Sequence, residues 1–329
     1  MENDMNYSDK FIKNTLVLNK KAQINEGYHI AYCFDDNYAM PAGLSLTSVI
    51  ENNPNIEINF HLFTNNLSKQ NLSNFETIAK QLDCSITCYE IDSNFSVNSD
   101  TLVLGISIAT CLRFIVPEVL QKITNRVLYL DCDTLCVGSL DELFNIDLNN
   151  KIAAVVPDAE YMQNGQGKKY GIPNGEYFNA GVIYFNTSLW NENKLTEKTF
   201  ELINDGNVYT FADQDVLNIV MKENTLLLPS DFNNLTALTV NGNEDAKVDK
   251  TTKIIHYITK NKPWHQPYRT DFFDHYFANS PWKGMLLPLY NDNKTSSIRA
   301  YSKLMFKQKK YLSGIKHYMI YLKTKLKKL

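Results

Sequence analysis

Between residues 28 and 91 short apolar runs alternate with stretches whose apolar residues recur every three or four positions. Residues 28–34, 58–64 and 85–91 read as buried strands, and 39–52 and 68–82 as helices, the first ended by Asn53-Pro54 and the second opened by a Ser68 cap. Strands separated by helices are long enough apart to run parallel, and each crossover helix covers one face of the sheet. The pattern therefore predicts an α/β domain with a mainly parallel central sheet. It continues with a helix over 108–115 that stops near Pro117, strands at 126–130, 152–156, 181–185 and 253–257, and helices at 188–204 and 212–221. No internal repeat or low-complexity linker interrupts it. The expected organisation is a polar, loosely ordered leader over 1–27, one domain over 28–290 and a C-terminal arm over 291–329.

Several alternatives are excluded by composition. With 329 residues, 44% of them hydrophobic, the chain can bury a large core. Its longest uncharged apolar window, 101–112, is too short for a bilayer and is broken by Gly105 and Ser107. The first six residues are polar and acidic, so no export signal is expected. Six cysteines without paired CxxC knuckles predict neither a disulfide scaffold nor a zinc site, but reduced thiols in a cytoplasmic protein.

The net charge of −3 conceals a division. From Lys294 to Leu329 there are eleven Lys or Arg and no acid, which leaves the body at −14. Ile298, Tyr301, Met305, Leu312, Ile315, Met319, Leu322, Leu326 and Leu329 recur at helical spacing in that arm. The expectation is an interfacial amphipathic helix, or two separated near Gly314, lying on anionic lipid. A helix packed on the domain with its lysines solvated is the alternative. Nucleic acid is not an expected partner, because the acidic body opposes it and no arginine-rich surface is present.

The most informative chemistry is Asp131-Cys132-Asp133, directly after the strand at 126–130. On extended backbone residues i and i+2 share a side, so both carboxylates address one place. Ligands of open parallel sheets bind at the carboxyl ends of strands, where this pair falls. Two carboxylates there need a proton or a hard cation between them, and Mg²⁺ or Mn²⁺ suits the role; a surface turn is the alternative. Asp35-Asp36 after the first strand is placed either to meet a ribose or base or to cap the next helix. The Gly-rich fingerprints of dinucleotide and P-loop sites are absent. His256 follows another strand and can complete an Asp, Asp, His set, with Lys262 in reach of a diphosphate; manganese accepts imidazole more readily than magnesium.

Four segments together, Asp35-Asp36-Asn37-Tyr38, Arg126 through Asp133, Tyr177 through Val182 with Asp213-Gln214-Asp215, and His256 through His265, resemble the retaining glycosyltransferases of family 8, the bacterial lipopolysaccharide galactosyl- and glucosyltransferases. Ser280-Pro281-Trp282-Lys283 and the basic arm resemble the subgroup that extends the outer core. The resemblance implies a GT-A fold, a UDP-sugar donor, Mn²⁺ or Mg²⁺, a lipopolysaccharide core acceptor and a peripheral place on the cytoplasmic face of the inner membrane. It implies that Asp35 and Asn37 contact uridine and ribose, with Cys33 and Cys132 in the donor-binding set. Arg113 would reach the sugar or its phosphate. Asp131, Asp133 and His256 would hold the metal, and Lys262 the diphosphate. Asn179, Ala180, Gly181, Asp213 and Gln214 would line the sugar.

One departure is Thr259, where the family usually has Gly. Asp158, Asp213, Gln214 and Asp215 are the candidate nucleophiles or stabilisers for a double displacement. Same-face attack, with a diphosphate oxygen as base, is the favoured alternative. Other readings are a protein or other glycan as acceptor, a noncatalytic nucleotide-binding protein, and a nucleotidyltransferase, the last disfavoured by the missing phosphate loop.

Overall fold

The computed structural model describes residues 7–19, 27–97, 108–240, 248–289 and 294–327. In chain order the strands are β1 (Ile12–Asn19), β2 (Tyr28–Asp35), β3 (Ile58–Asn65), β4 (Ser85–Ile91), β5 (Arg126–Leu130) and β6 (Thr134–Cys136). They continue with β7 (Ala153–Pro157), β8 (Phe178–Asn186), β9 (Thr225–Leu227), β10 (Asn234–Ala237) and β11 (Ile254–Ile258). The helices begin with α1 (Tyr7–Phe11), α2 (Ala39–Asn52), α3 (Lys69–Gln81), α4 (Val116–Leu120), α5 (Asp141–Phe144) and α6 (Glu160–Met162). After them come α7 (Thr187–Glu192), α8 (Leu195–Ile203), α9 (Ala212–Val220), α10 (Asp271–Asn279), α11 (Thr295–Lys307) and α12 (Tyr311–Leu326).

Eight strands form one sheet in the order β1-β4-β3-β2-β5-β8-β7-β9, and a small second sheet has the order β10-β11-β6. In the large sheet β4, β3, β2 and β5 run parallel, as the alternation predicts, while β8 lies antiparallel between β5 and β7. The strands of the centre are apolar on both sides because both faces are covered. Ile30, Tyr32 and Phe34 of β2 join the core under α2 and α3. Ala31 and Cys33, pointing the other way, join the core under α4, α8 and α9. Because β2 and β5 are parallel neighbours, Asp35 and Asp131 emerge at the same edge of the sheet.

Three expectations change. The leader is not loose over its described part: β1 pairs antiparallel with β4, and Phe11 is buried against Phe95 and Phe200. β1 is an edge strand whose register shifts between Ile12 and Asn14 and again between Val17 and Asn19, which is why it lacks a strand's alternation. Residues 1–6 and 20–26 lie outside the described residues. The helix expected over 188–204 divides into α7 and α8 at Lys194, whose φ of 53° is left-handed, and that over 108–115 is a 3-10 helix, Ile108–Phe114.

The arm is a helical hairpin, broken at Lys309 (φ 59°) and not near Gly314. Gly314 instead lets the two helices close, since a Cβ there would stand 2.9 Å from the Phe306 ring. Its stripe divides between the helices. Ile298, Tyr301 and Met305 of α11 are buried, whereas Leu312, Ile315, Met319 and Leu326 of α12 are 87, 53, 60 and 69% exposed. Leu329 and the boundary expected at 290–291 lie outside the described residues. No helix of the described residues is long and apolar enough to cross a membrane.

Candidate active site

The turn after β5 carries Asp131, Cys132 and Asp133, and the chain then enters β6. β6 pairs with β11 so that Thr134 faces His256, which places the imidazole beside the two carboxylates. On the other flank Asp131 N donates to Gly181 O at 2.8 Å, at the antiparallel join with β8. The site thus stands where the two sheets meet.

The two carboxylates are held differently. Asp131 Oδ1 accepts from Arg113 Nη2 at 2.8 Å and from Tyr129 Oη at 2.7 Å, so Oδ2 is left facing His256 Nε2 3.8 Å away. Asp133 Oδ1 is 3.3 Å from His256 Nε2, and its Oδ2 accepts from Lys262 Nζ at 2.5 Å. Burial alone would raise the Asp133 carboxyl, but Lys262 and His256 hold it well below the usual carboxylate range. His256 Nδ1 is 3.0 Å from Asn233 Oδ1, an oxygen that only accepts. Nδ1 therefore donates to it, which turns Nε2 toward the two carboxylates.

This set fits a divalent cation. One ligand atom from each of Asp131, Asp133 and His256 lies within 4.8 Å of the others. Two carboxylate oxygens and an imidazole nitrogen suit Mn²⁺ or Mg²⁺. Gly181 keeps the cradle open: a Cβ there would come within 2.2 Å of His256 Cε1 and 2.9 Å of Asp131 Oδ2.

Two cavities meet at these carboxylates. One, of about 250 Å³, is lined by Cys33, Asp35, Tyr38 and Cys132; the other, of about 380 Å³, by Asp158, Asn179, Asp213, Gln214 and Lys262. Thr110, Arg113, Asp131 and Asp133 line both. A ligand spanning them would put one end at the tip of β2, the other against β8 and α9, and its middle over the carboxylates. Cys33 and Cys132 are buried thiols that burial pushes well above their ordinary pKa, so they wall the smaller cavity without reactivity.

Most sequence-predicted residues converge here, with exceptions. Arg113 is 4% exposed and bridges Asp131 and Asp213 (Nε to Oδ2, 3.1 Å), so it stiffens the site before it meets any ligand. Burial holds the Asp213 carboxyl above its ordinary range although Arg113 opposes the shift. Ala180 is buried and acts through its backbone: N donates to Gln214 Oε1 at 3.1 Å and O accepts from Arg113 Nη1 at 2.7 Å. Gln214 Nε2 donates to Asp158 Oδ2 at 2.9 Å, and Asn179 Nδ2 reaches Gln214 Oε1 at 3.2 Å. Asn37 is exposed on the turn capped by Asp35 and does not line either cavity.

Asp215 does not face the cavity. It is 0% exposed, and its carboxylate accepts from Tyr177 Oη at 2.5 Å, Tyr170 Oη at 3.3 Å and Phe211 N at 3.0 Å. A carboxylate so engaged orders the ring of Tyr177, which in turn accepts from Gln214 Nε2 at 3.3 Å.

Sequence reasoning missed Tyr129, Tyr38 and Asn233. Tyr129 stands two residues before Asp131, the spacing that puts it on the same side of the strand, so it was detectable. Tyr38 belongs to the first motif and presents its ring at the smaller cavity, 5.7 Å from the ring of Trp264. Asn233, between His256 and Asn179 Oδ1 (3.0 Å), has no local signal.

Comparison with known proteins agrees with this geometry. The pattern of Glycosyl transferase family 8 matches residues 29–267, and that of the Glycosyl transferase family 8 C-terminal region matches 269–325. The chain is 35% identical to a lipopolysaccharide 1,3-galactosyltransferase of Salmonella typhimurium, with 97% of this chain and 98% of that one aligned. It is 33% identical to a lipopolysaccharide 1,2-glucosyltransferase of Escherichia coli K12, over 80% and 81% of the two chains. The galactosyltransferase LgtC, solved in complex with donor and acceptor sugar analogs, superposes with a TM-score of 0.61 at 27% identity, covering 75% of this chain and 93% of its own. The mixed sheet with its helical C-terminal region is accordingly the GT-A fold. With the matched pattern spanning β2 through the strand that carries His256, the chain belongs to glycosyl transferase family 8.

Proposed function

We propose that the chain transfers glucose or galactose from a UDP-sugar, with retention and in α-linkage, to a lipopolysaccharide core acceptor. The reading rests on one observation: Asp131, Asp133 and His256 meet where the cavity at the tip of β2 joins the one against β8 and α9. The lipopolysaccharide hexosyltransferases among its relatives support the acceptor and the two donor sugars. Asp131, Asp133 and His256 would hold Mn²⁺ or Mg²⁺, which would supply Lewis-acid stabilisation to a departing diphosphate.

The chain's own residues orient the donor. Tyr38 and Asp35 receive the nucleoside, and Asp158, Asn179 and Gln214 form a bonded set along the sugar side. Each candidate nucleophile is already committed. Gln214 Oε1 accepts two hydrogen bonds, Asp158 Oδ2 accepts two, Asp213 is paired with Arg113, and Asp215 is enclosed by tyrosines. That supports attack by the acceptor hydroxyl on the face the diphosphate leaves, with a diphosphate oxygen taking the proton. The basic α12 serves to hold the enzyme peripherally on the cytoplasmic face of the inner membrane, where such an acceptor is presented.

The test is release of UDP from UDP-glucose, UDP-galactose and UDP-N-acetylglucosamine, each with Mn²⁺ and a lipopolysaccharide core extract. We expect release from one of the hexose donors, abolished by a chelator and lowered at least about 10²-fold by Asp133→Ala. No release from any donor would overturn the reading, and transfer only to a protein or another glycan would overturn the acceptor.

A further inference from the structure

Lys262 does not reach into the site as an idle cation. It is 9% exposed, and Nζ donates to Asp133 Oδ2 at 2.5 Å and to Tyr257 O at 2.6 Å. Its backbone is fixed: Lys262 N donates to His265 Nδ1 at 3.3 Å, and the neighbouring Asn261 Nδ2 to Leu238 O at 3.1 Å. Any large change at this lysine is therefore a swing of its flexible side chain, which already borders the larger cavity.

The carboxylate it holds is one that the metal needs. Asp131 has one oxygen taken by Arg113 and Tyr129, so it offers a cation Oδ2 alone. Asp133 offers Oδ1 beside His256 and Oδ2 under Lys262. An ammonium on that carboxylate cancels much of its charge and sets a like charge next to any divalent ion that binds. A diphosphate in the cavity is a second anionic partner within reach of the same side chain.

We propose that Lys262 and the divalent cation compete for Asp133, and that the donor's diphosphate relieves the competition by drawing the ammonium onto itself. Metal and nucleotide then bind as a coupled pair, each raising the affinity of the other by the same factor. Lys262 is a positioning residue that gates the metal as well as a contact for the phosphate. This rests on the metal site proposed above.

The experiment measures Mn²⁺ binding, by loss of the aqueous Mn²⁺ resonance signal, to the full-length protein with no nucleotide, with uridine and with UDP. Wild type should bind weakly alone or with uridine and more tightly with UDP. Lys262→Met should bind Mn²⁺ about tenfold more tightly than wild type without nucleotide and gain less from UDP. Lys262→Arg keeps the charge and should stay as weak as wild type. If the Met variant, native by circular dichroism, binds no more tightly than wild type, or the Arg variant binds as tightly as Met, competition is overturned. Metal uptake by wild type with UDP would in that case leave the metal site standing. No Mn²⁺ binding in any mixture would overturn the site and the competition together.

Discussion

At the scale of the residue, Thr259 stands in a backbone conformation that favours glycine. Its φ is +70°, a left-handed backbone in which a β-branched side chain is strained, and it lines the larger cavity between His256 and Lys262. A non-glycine residue there costs about 1–2 kcal/mol, against which glycine loses about 0.5–1 kcal/mol to the entropy of the unfolded chain. Thr259→Gly should therefore raise the stability by about 0.5–1 kcal/mol, seen as a higher denaturant midpoint at unchanged slope. An unchanged or lowered midpoint would mean that the Thr259 side chain contributes more than the strain removes. The candidate metal ligands and Lys262 were legible because each lies in or just after a strand: Asp131 and Asp133 follow β5, His256 is carried by β11 and Lys262 follows it. Asn233 was not, because what makes it functional is a contact with His256 across 23 residues.

At the scale of the element, the arm is two helices with different work. Ala300 of α11 joins the core of the body, whereas Tyr301 meets His317 of α12 with ring centroids 4.6 Å apart, so removing the whole arm would uncover core and confuse unfolding with loss of docking. The informative changes are in α12, where Leu312 and Ile315 are exposed. Transfer of one such side chain from water into a lipid interface is worth about 1.5–3 kcal/mol at full burial. Leu312→Asp with Ile315→Asp should weaken binding to vesicles containing anionic lipid at least about tenfold without lowering the melting temperature. Equal binding by the double variant would remove α12 from the membrane reading. Helical spacing revealed the stripe, but the division between buried and exposed halves depends on the reversal at Lys309, a lysine in a glycine-like backbone that no periodicity announces.

At the scale of the whole molecule, the alternation of strand and helix foretold the parallel centre of the sheet. The antiparallel β8 and the small sheet were not readable, since the direction of a strand depends on where its crossover returns. Across that centre runs a chain of buried rings. His29 Nδ1 is 2.9 Å from His61 Nε2, and His61 Nδ1 is 3.1 Å from Tyr89 Oη, linking β2, β3 and β4. Burial lowers the pKa of His29 to about 4 and, with His29 beside it, that of His61 to about 3. Both stay neutral in the fold at pH 5 while the unfolded chain protonates them near 6.5. Their contribution is complete above pH 6.5 and is lost as the pH falls toward 4, with unfolding taking up two protons. Stability near pH 5 should drop by about 2.7 kcal/mol per pH unit from this pair, read from urea midpoints; a flat profile between pH 6 and 4.5 would show that the rings are not neutral in the fold. The meeting of the two sheets has a further consequence, for synthesis. Asp131 and Asp133 leave the ribosome long before β11, so a nascent chain ending near residue 250 has both carboxylates but neither His256 nor Lys262. The order of the chain makes the candidate metal set one of the last features the growing protein completes.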